Sequence, residues 1–336
     1  VKPKQLIGLA DDTTLLDLTL KRLVPILTGD RIIVVTQASQ AEATRRVAAA
    51  FDGVRVLSEP VGKNTAACVA YAASFVKATV GEAVLTFLPA DHFIEDSEAF
   101  RKVLKAGWSF VAEAGGILTI GIRPDRPATG FGYIRLGEQV RVIDDFKFFK
   151  VSRFTEKPAL EVAKAYLDGG DHLWNAGIFI FQASTILDEI SRCLPQMGEE
   201  FRKCMPAYGT PREAERLAEC YANVEEISID FGIIEKTDGA YVVPADMGWD
   251  DVGNWESFSK YMSADASGNR AHGKHIGIDS EHCIIYADRH VIATLGVHGL
   301  TVVATDDAIL IAQRERGEEV KRLVDLIEQE GLNDLL

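Results

Sequence analysis

Apolar residues recur along the first half of the chain in short blocks separated by longer amphipathic stretches. Thr13 to Val24 carries Leu15, Leu16, Leu18, Leu20, Leu23 and Val24 between polar positions and meets Pro25, which predicts an amphipathic helix. Arg31 to Thr36 holds the continuous, β-branched apolar block Ile32–Val35, too short for a helix, and predicts a buried strand. A helix over Gln40–Phe51, a short strand over Val54–Leu57 and a helix opening at Gly62 and running to about Val76 follow. Val84 to Leu88 reads as a further buried strand; it ends at Pro89, and the carboxylate of Asp91 comes directly after it. Ser97–Ala114 predicts a helix and Gly116–Gly121 a strand. Strands alternating with helices at this spacing imply right-handed βαβ units, hence an α/β, Rossmann-like domain with a mostly parallel sheet.

Farther along, Thr129-Gly130-Phe131-Gly132-Tyr133 predicts a glycine-containing loop. Phe146–Phe154 reads as a strand, Leu160–Leu167 as a helix and Leu173–Phe181 as a strand. Ser184–Ala222 is mostly helical, Ser228–Lys236 opens another helix, and Tyr241–Ala245 is a strand. From about Ala264 the pattern changes to brief apolar runs divided by polar corners such as Asp288-Arg289: His275–Ile278, Cys283–Tyr286, Val291–Leu295, Leu300–Ala304 and Ala308–Ala312. That texture predicts a small all-β domain, for which a short left-handed β-helix is one architecture, closed by an amphipathic helix over Glu318–Ile327. The expected division is residues 1–263 and 264–336.

Composition narrows the function. A chain of 336 residues with 47% hydrophobic content can build two cores. Its net charge of −14 argues against a dedicated nucleic-acid binder but leaves small phosphorylated substrates open. The five cysteines show no C-x-x-C spacing, so free thiols in the cytoplasm are expected, with neither a disulfide framework nor a cysteine zinc site. No apolar run reaches the ~18 residues of a membrane span, and no signal peptide opens the sequence.

Candidate chemistry sits at the ends of these elements. Asp91 follows a strand at the edge where open α/β sheets bind ligands; it serves there either as a metal or phosphate-site acid or as the cap of the next helix. Gly62-Lys63-Asn64-Thr65 either caps a helix or offers N–H groups and an amide to a nucleotide. Glu156-Lys157 before Pro158 is an acid–base pair at a strand terminus. Asn175 lies in so apolar a run that it must bond backbone or read a ligand hydroxyl. Met247 to Trp255 holds Asp250 and Asp251 between two tryptophans, either as a polar turn or as a second acidic site. No G-x-G-x-x-G, Walker P-loop or nucleophile elbow occurs.

Taken in register, Lys2-Pro3-Lys4-Gln5, Glu59-Pro60 with Lys63-Asn64-Thr65-Ala66, Leu88-Pro89-Ala90-Asp91-His92, Thr129-Gly130-Phe131-Gly132-Tyr133-Ile134, Phe154-Thr155-Glu156-Lys157-Pro158, Trp174-Asn175-Ala176-Gly177 and Trp249-Asp250-Asp251-Val252-Gly253-Asn254-Trp255 resemble the mannose-1-phosphate guanylyltransferases, a family of sugar nucleotidyltransferases. The resemblance covers the chain to about Phe258 and continues more weakly beyond. It implies transfer of GMP from GTP to mannose 1-phosphate, with Mg²⁺ held by Asp91 and Asp251, and Lys4 and Lys157 on the phosphates. It implies substrate contacts from Asn64, Thr65, Gly130, Tyr133, Glu156 and Asn175; Asp250 could stand in for Asp251. Another nucleotide or hexose phosphate, or a non-catalytic sugar-nucleotide-binding homologue, fits the same motifs. The family's Gly-rich diphosphate loop and first central strand do not occur before Pro3, so the sequence is expected to begin late. With no room for the isomerase domain of longer members, transferase activity alone is expected. The apolar strands of the β domain suggest a homodimer.

Overall fold

A computed structural model of the chain describes residues 3–8, 13–287 and 289–332, with the backbone alone for Glu318. Lys2 of the first motif and Asp288 of the expected corner lie outside them. The chain divides into two compact units. One comprises Val1–Thr19, Ala90–Phe93 and Asp250–Leu336, the other Leu20–Pro89 and Ile94–Trp249.

Helix α1 (Leu15–Leu23) opens with a reciprocal cap: Thr14 N donates to the Asp17 carboxylate at 3.1 Å and Asp17 N donates to Thr14 Oγ1 at 3.1 Å. It stops two residues before Pro25, as the missing N–H of proline requires. Strand β1 (Ile33–Gln37), α2 (Ala41–Ala48), β2 (Arg55–Glu59) and α3 (Asn64–Thr79) follow. After β3 (Val84–Phe87) and the two-residue β4 (Phe93–Ile94), α4 (Ser97–Ala114) has the bounds expected from its pattern. Next come β5 (Ile117–Ile122), β6 (Tyr133–Ile143), β7 (Phe146–Thr155), α5 (Leu160–Gly169) and β8 (His172–Gln182). The larger unit continues through α6 (Ala183–Cys193), α7 (Pro195–Cys204), α8 (Glu213–Asn223), α9 (Ile229–Gly232) and β9 (Ala240–Pro244), before β10 (Trp249–Asp250).

This is the expected α/β architecture, and its strand directions are mixed. β1 and β2 pair in parallel as a two-stranded sheet. A six-stranded sheet runs β3-β8-β5-β9-β7-β6. Within it β5 and β9 are parallel, and β8 runs antiparallel to both β3 and β5. Helix α4 packs across β3, β5, β6 and β8, while α3, α6, α7 and α8 pack on one another. Their buried faces share one core that includes Tyr71, Ile117, Phe181, Phe201, Tyr221 and Val242. The eleven-residue β6 begins at the last residue of the expected glycine loop and occupies a stretch to which the sequence pattern assigns no element. Its outer half is exposed, so it carries no continuous apolar block; a turn at Asp144 and Asp145, both with positive φ, folds it antiparallel onto β7.

In the other unit α10 (Trp255–Ser259) precedes β11 (Arg270–His272), β12 (His275–Ile278), β13 (Ile284–Ala287), β14 (Ile292–Leu295), β15 (Leu300–Ala304) and β16 (Ile309–Gln313), and α11 (Val320–Gln329) closes it. β11, β13 and β15 stack in parallel, as do β12 and β14, which is how successive turns of a β-helix meet. Arg270 faces Ile284, and Ile284 faces Thr301, so the turns differ in length and leave no clean sequence period. Leu15, Val252, Phe258, Met262, Tyr286 and Val303 form a core of this unit. Arg314 grips Glu256 through two bonds of 2.5 and 2.6 Å, and Arg270 Nη1 donates to the carbonyls of Ser259 and Met262.

Candidate active site

Asp91 lies in a turn after β3, and α4 is capped by another residue. Asp96 Oδ1 accepts from Glu98 N and Ala99 N, each at 2.9 Å. The capping alternative for Asp91 therefore falls away. Instead, Asp91 Oδ2 accepts from Lys4 Nζ at 2.7 Å, and the same ammonium donates to the carbonyl of Asp251 at 2.5 Å. Three motif residues, distant in sequence, meet around one cation. The Lys4 and Asp91 side chains are 34% and 31% exposed, so their ion pair is worth about 1 kcal/mol or less and is cheap to exchange.

The two adjacent acids separate. Asp250 Oδ1 accepts from Val252 N at 2.7 Å and Oδ2 pairs with Lys260 Nζ at 3.0 Å. Asp251 Oδ1 accepts from Gly253 N at 3.1 Å, closing a turn. Between them and the glycine, Val252 adopts φ 53°, which a β-branched residue rarely tolerates and which costs ~1–3 kcal/mol. Val252 is 3% exposed in its unit's core, and that packing holds the turn. The oxygens around Lys4 already accommodate a cation. Hard carboxylate and carbonyl donors of this kind fit Mg²⁺.

In the larger unit, a second group forms around β8. Gly177 has φ 67° and sits where the β5–β8 register shifts between Thr119 and Gly121, so the strand bulges beside Asn175. Asn175 N donates to Gly132 O at 2.8 Å, and Lys157 N donates to Phe131 O at 3.2 Å, which ties the glycine loop to both motifs. Asn175, itself 9% exposed, is engaged at both ends of its amide: Nδ2 donates to Asp230 Oδ1 at 2.9 Å, and Oδ1 accepts from Gly177 N at 3.1 Å. Thr119 Oγ1 lies 2.9 Å from Asn175 Oδ1 and 3.1 Å from Ile178 O, donating to one at a time.

Glu156 is the least satisfied member. Its side chain is 9% exposed, its Oε2 is buried without a hydrogen-bond partner, and Lys157 Nζ stands 3.6 Å from Oε1. Its own N–H donates to Glu235 Oε1 at 2.9 Å. Burial, then the neighbouring charge of Asp230, push its carboxyl up to about 7, against the pull of Lys157. Burial raises Asp230 as well. Three carboxylates around one lysine make a strongly accepting surface, suited to a ligand rich in hydroxyl donors.

The remaining expected residues divide. A Cβ on Gly132 would lie 2.5 Å from Glu156 Oε2 and 3.0 Å from Phe154 Cζ, whereas Gly130 faces open space. Tyr133 is fully buried in a core cluster with Ala163 and Trp174, so its ring packs within the unit. Asn64, at φ 63°, accepts from Thr65 N at 2.8 Å and does not cap α3. Thr65 Oγ1 accepts from Ile229 N at 2.9 Å, joining the start of α3 to α9, where Asp230 sits. Asp230 and Glu235 escape sequence reasoning. A carboxylate between Ile229 and Phe231 carries the same clue as Asn175, a polar group in an apolar run.

The family model described as "Nucleotidyl transferase" matches residues 1–268, and the "MannoseP isomerase/GMP-like beta-helix domain" matches residues 273–327. The mannose-1-phosphate guanylyltransferase of Escherichia coli (strain K12) is 36% identical over 99% of this chain and 70% of its own length. The chain belongs to the mannose-1-phosphate guanylyltransferase family of nucleotidyl transferases. Xanthan biosynthesis protein XanB of Xanthomonas campestris pv. campestris (strain B100) is 35% identical over the same shares. A crystal structure described as mannose-1-phosphate geranyltransferase from Thermus thermophilus superimposes with a TM-score of 0.83 at 35% identity, covering 97% of this chain and 92% of that one. Among the described residues, no helix of this family member is long and apolar enough to cross a membrane.

Proposed function

We propose that the chain transfers the GMP moiety of GTP to mannose 1-phosphate, giving GDP-mannose and pyrophosphate. The observation that carries this reading is the meeting of Lys4 with the Asp91 carboxylate and the Asp251 carbonyl, in a chain whose relatives bear the name of that activity. The phosphate of the sugar is already an anion, so it attacks the α-phosphorus of GTP without a general base, and pyrophosphate leaves. What the protein supplies is alignment and charge neutralisation.

Asp91 and Asp251 would hold Mg²⁺, which supplies Lewis-acid stabilisation of the phosphate oxygens. Asp251 is preferred to Asp250 because its backbone meets Lys4 beside Asp91, whereas the Asp250 carboxylate pairs with Lys260. Lys4, held by a weak pair, turns from Asp91 to the nucleotide phosphates. Lys157, 60% exposed, reaches the phosphate of the sugar or the α-phosphate. Glu156 accepts from mannose hydroxyls through its unpartnered oxygen, and Asn175 positions Asp230 beside it. The open face of Gly130 admits the sugar, Tyr133 supports that loop from the core, and Asn64 and Thr65 lie on the guanine or ribose side.

Free thiols at all five cysteines fit the cytoplasm. Exposed Ile276, Ile278, Leu295, Ile309 and Ile311 on the β-helix support a homodimer, which light scattering tests. The deciding assay is pyrophosphate release by the full-length protein, crossing GTP, ATP and UTP with mannose 1-phosphate and glucose 1-phosphate, with and without EDTA. Metal-dependent release confined mainly to GTP with mannose 1-phosphate supports the reading. Release with another pair moves the substrate. No release from protein that still binds GDP-mannose makes it a non-catalytic homologue.

A further inference from the structure

Away from the residues assigned above, the β-helix brings together three side chains that no part of the transfer reaction uses. Glu281, His282 and His298 each present a metal-capable atom, and these atoms all lie within 4.8 Å of one another. Backbone fixes the arrangement. Glu281 bridges to His298 across adjacent turns; Glu281 N donates to Val297 O and Gly299 N to Glu281 O, each at 3.0 Å. His282 N donates to Ser267 O at 3.1 Å, and Arg314 Nη1 donates to His282 O at 3.3 Å.

Two further features hold the imidazoles. His282 takes φ 54°, a conformation costing ~1–3 kcal/mol that surrounding contacts must enforce. Its ring lies over Gly268 so closely that a Cβ there would come within 2.6 Å of Nδ1. The His282 and His298 ring centroids are 5.2 Å apart with an interplanar angle of 65°, so the rings meet edge to face instead of stacking.

We infer that Glu281, His282 and His298 form a binding site for a divalent transition-metal ion of the Zn²⁺ class. Two imidazoles and one carboxylate are the borderline-soft N and O donors that Zn²⁺, Co²⁺ and Ni²⁺ prefer, whereas Mg²⁺ and Ca²⁺ select all-oxygen sets. Three protein ligands leave a fourth tetrahedral position for water or an outside donor. All three side chains are exposed, so the ion enters without opening the fold. The ion joins two successive turns of the β-helix, and its binding stabilises the folded unit by mass action.

The test uses tag-free, full-length protein stripped with EDTA and titrated with Zn²⁺ against a chromogenic chelator, beside His282→Asn and His298→Gln. Asparagine tolerates the left-handed backbone at position 282, which protects the fold. The expected result is one equivalent bound by the wild type, with affinity falling at least about tenfold in each variant. Zn²⁺ should raise the melting temperature of the wild type but not of the double variant, whose metal-free melting should match the wild type. The five free cysteines remain in every variant, so adventitious thiol binding would persist in the double variant. Equal Zn²⁺ binding by the wild type and the double variant overturns the site, as does a wild type that binds none.

Discussion

Replacing Glu156 with Gln changes the electrostatics of the carboxylate group around β8 while nearly keeping its shape. Burial and the charge of Asp230 lift the Glu156 carboxyl from 4.5 to about 7, and Lys157 opposes them too weakly to cancel the rise. The folded-state value therefore lies above the unfolded one. The folded chain keeps a proton that the unfolded chain surrenders between about pH 4.5 and 7. The associated stability is fully present below pH 4.5 and is lost as the pH rises through 7. Carried across that interval at 1.36 kcal/mol per pH unit, the loss reaches about 3 kcal/mol by pH 8. With a side chain only 9% exposed, solvent screens little of it.

Glu156→Gln carries no such loss. It should match the wild type near pH 5 and exceed it by about 3 kcal/mol at pH 8, which is about 6–12 °C at roughly 2–4 °C per kcal/mol. Calorimetric melting of both proteins at pH 5, 6, 7 and 8 reads the difference directly. Asp230 is present in both, so most of its own pH dependence cancels. A difference between the two proteins that stays flat over this range refutes the account. The same variant should bind mannose 1-phosphate about tenfold more weakly, since a neutral amide is a poorer acceptor than a carboxylate. Gaining stability while losing substrate is expected where a side chain is kept for binding.

Asp251→Asn should lower Mg²⁺-dependent turnover by about 100-fold or more with unchanged circular dichroism. Asp250→Asn should instead cost about 1 kcal/mol of stability through its weakened pair with Lys260, and near-normal turnover by Asp251→Asn at low Mg²⁺ would move the metal role elsewhere. Lys4→Met should change the melting temperature little, because its ion pair is a third exposed, yet reduce turnover by about 10²–10³; comparable turnover by the variant sinks its phosphate role. Gly132→Ala should destabilise by about 1–3 kcal/mol, because its Cβ meets Glu156 Oε2 and Phe154, while Gly130→Ala should stay within about 0.5 kcal/mol. Equal melting of the two glycine variants would count against the close packing at Gly132.

The sequence is most legible where one physical signal dominates. Helix α4 is read to the residue because its apolar stripe is uninterrupted and Asp96 caps it. Strand β8 and the short β-helix strands stand out as apolar blocks between polar corners. Strand direction is much less legible, because a buried strand looks alike whichever way its neighbour runs; β3 pairs antiparallel with β8. Asn175 is visible as a polar residue in an apolar run, but its partners are not, because Asp230 comes from a helix 55 residues later.

Backbone strain supplies what pattern cannot. Among the described residues, non-glycine positive φ occurs at Asn64, Asp144, Asp145, Lys157, Val252, Asp279 and His282. Asp144 and Asp145 form the β6–β7 hairpin turn, where positive φ matches strand twist and needs no further reason. Each of the others falls in or beside one of the residue groups proposed above to bind substrate or metal. Asn64 and Lys157 lie in two motifs proposed to meet substrate, Val252 follows Asp251, and Asp279 and His282 lie on either side of Glu281. Asn64 and Asp279 are residue types that enter the left-handed region readily, whereas Lys157, Val252 and His282 carry about 1–3 kcal/mol each. Glycine would relieve that strain, yet the chain keeps Lys, Val and His there. At Lys157 and His282 glycine would delete the side chain proposed to bind phosphate or metal. At Val252 it would delete the core anchor that aims Asp251, so the side chain and the strained backbone are retained together.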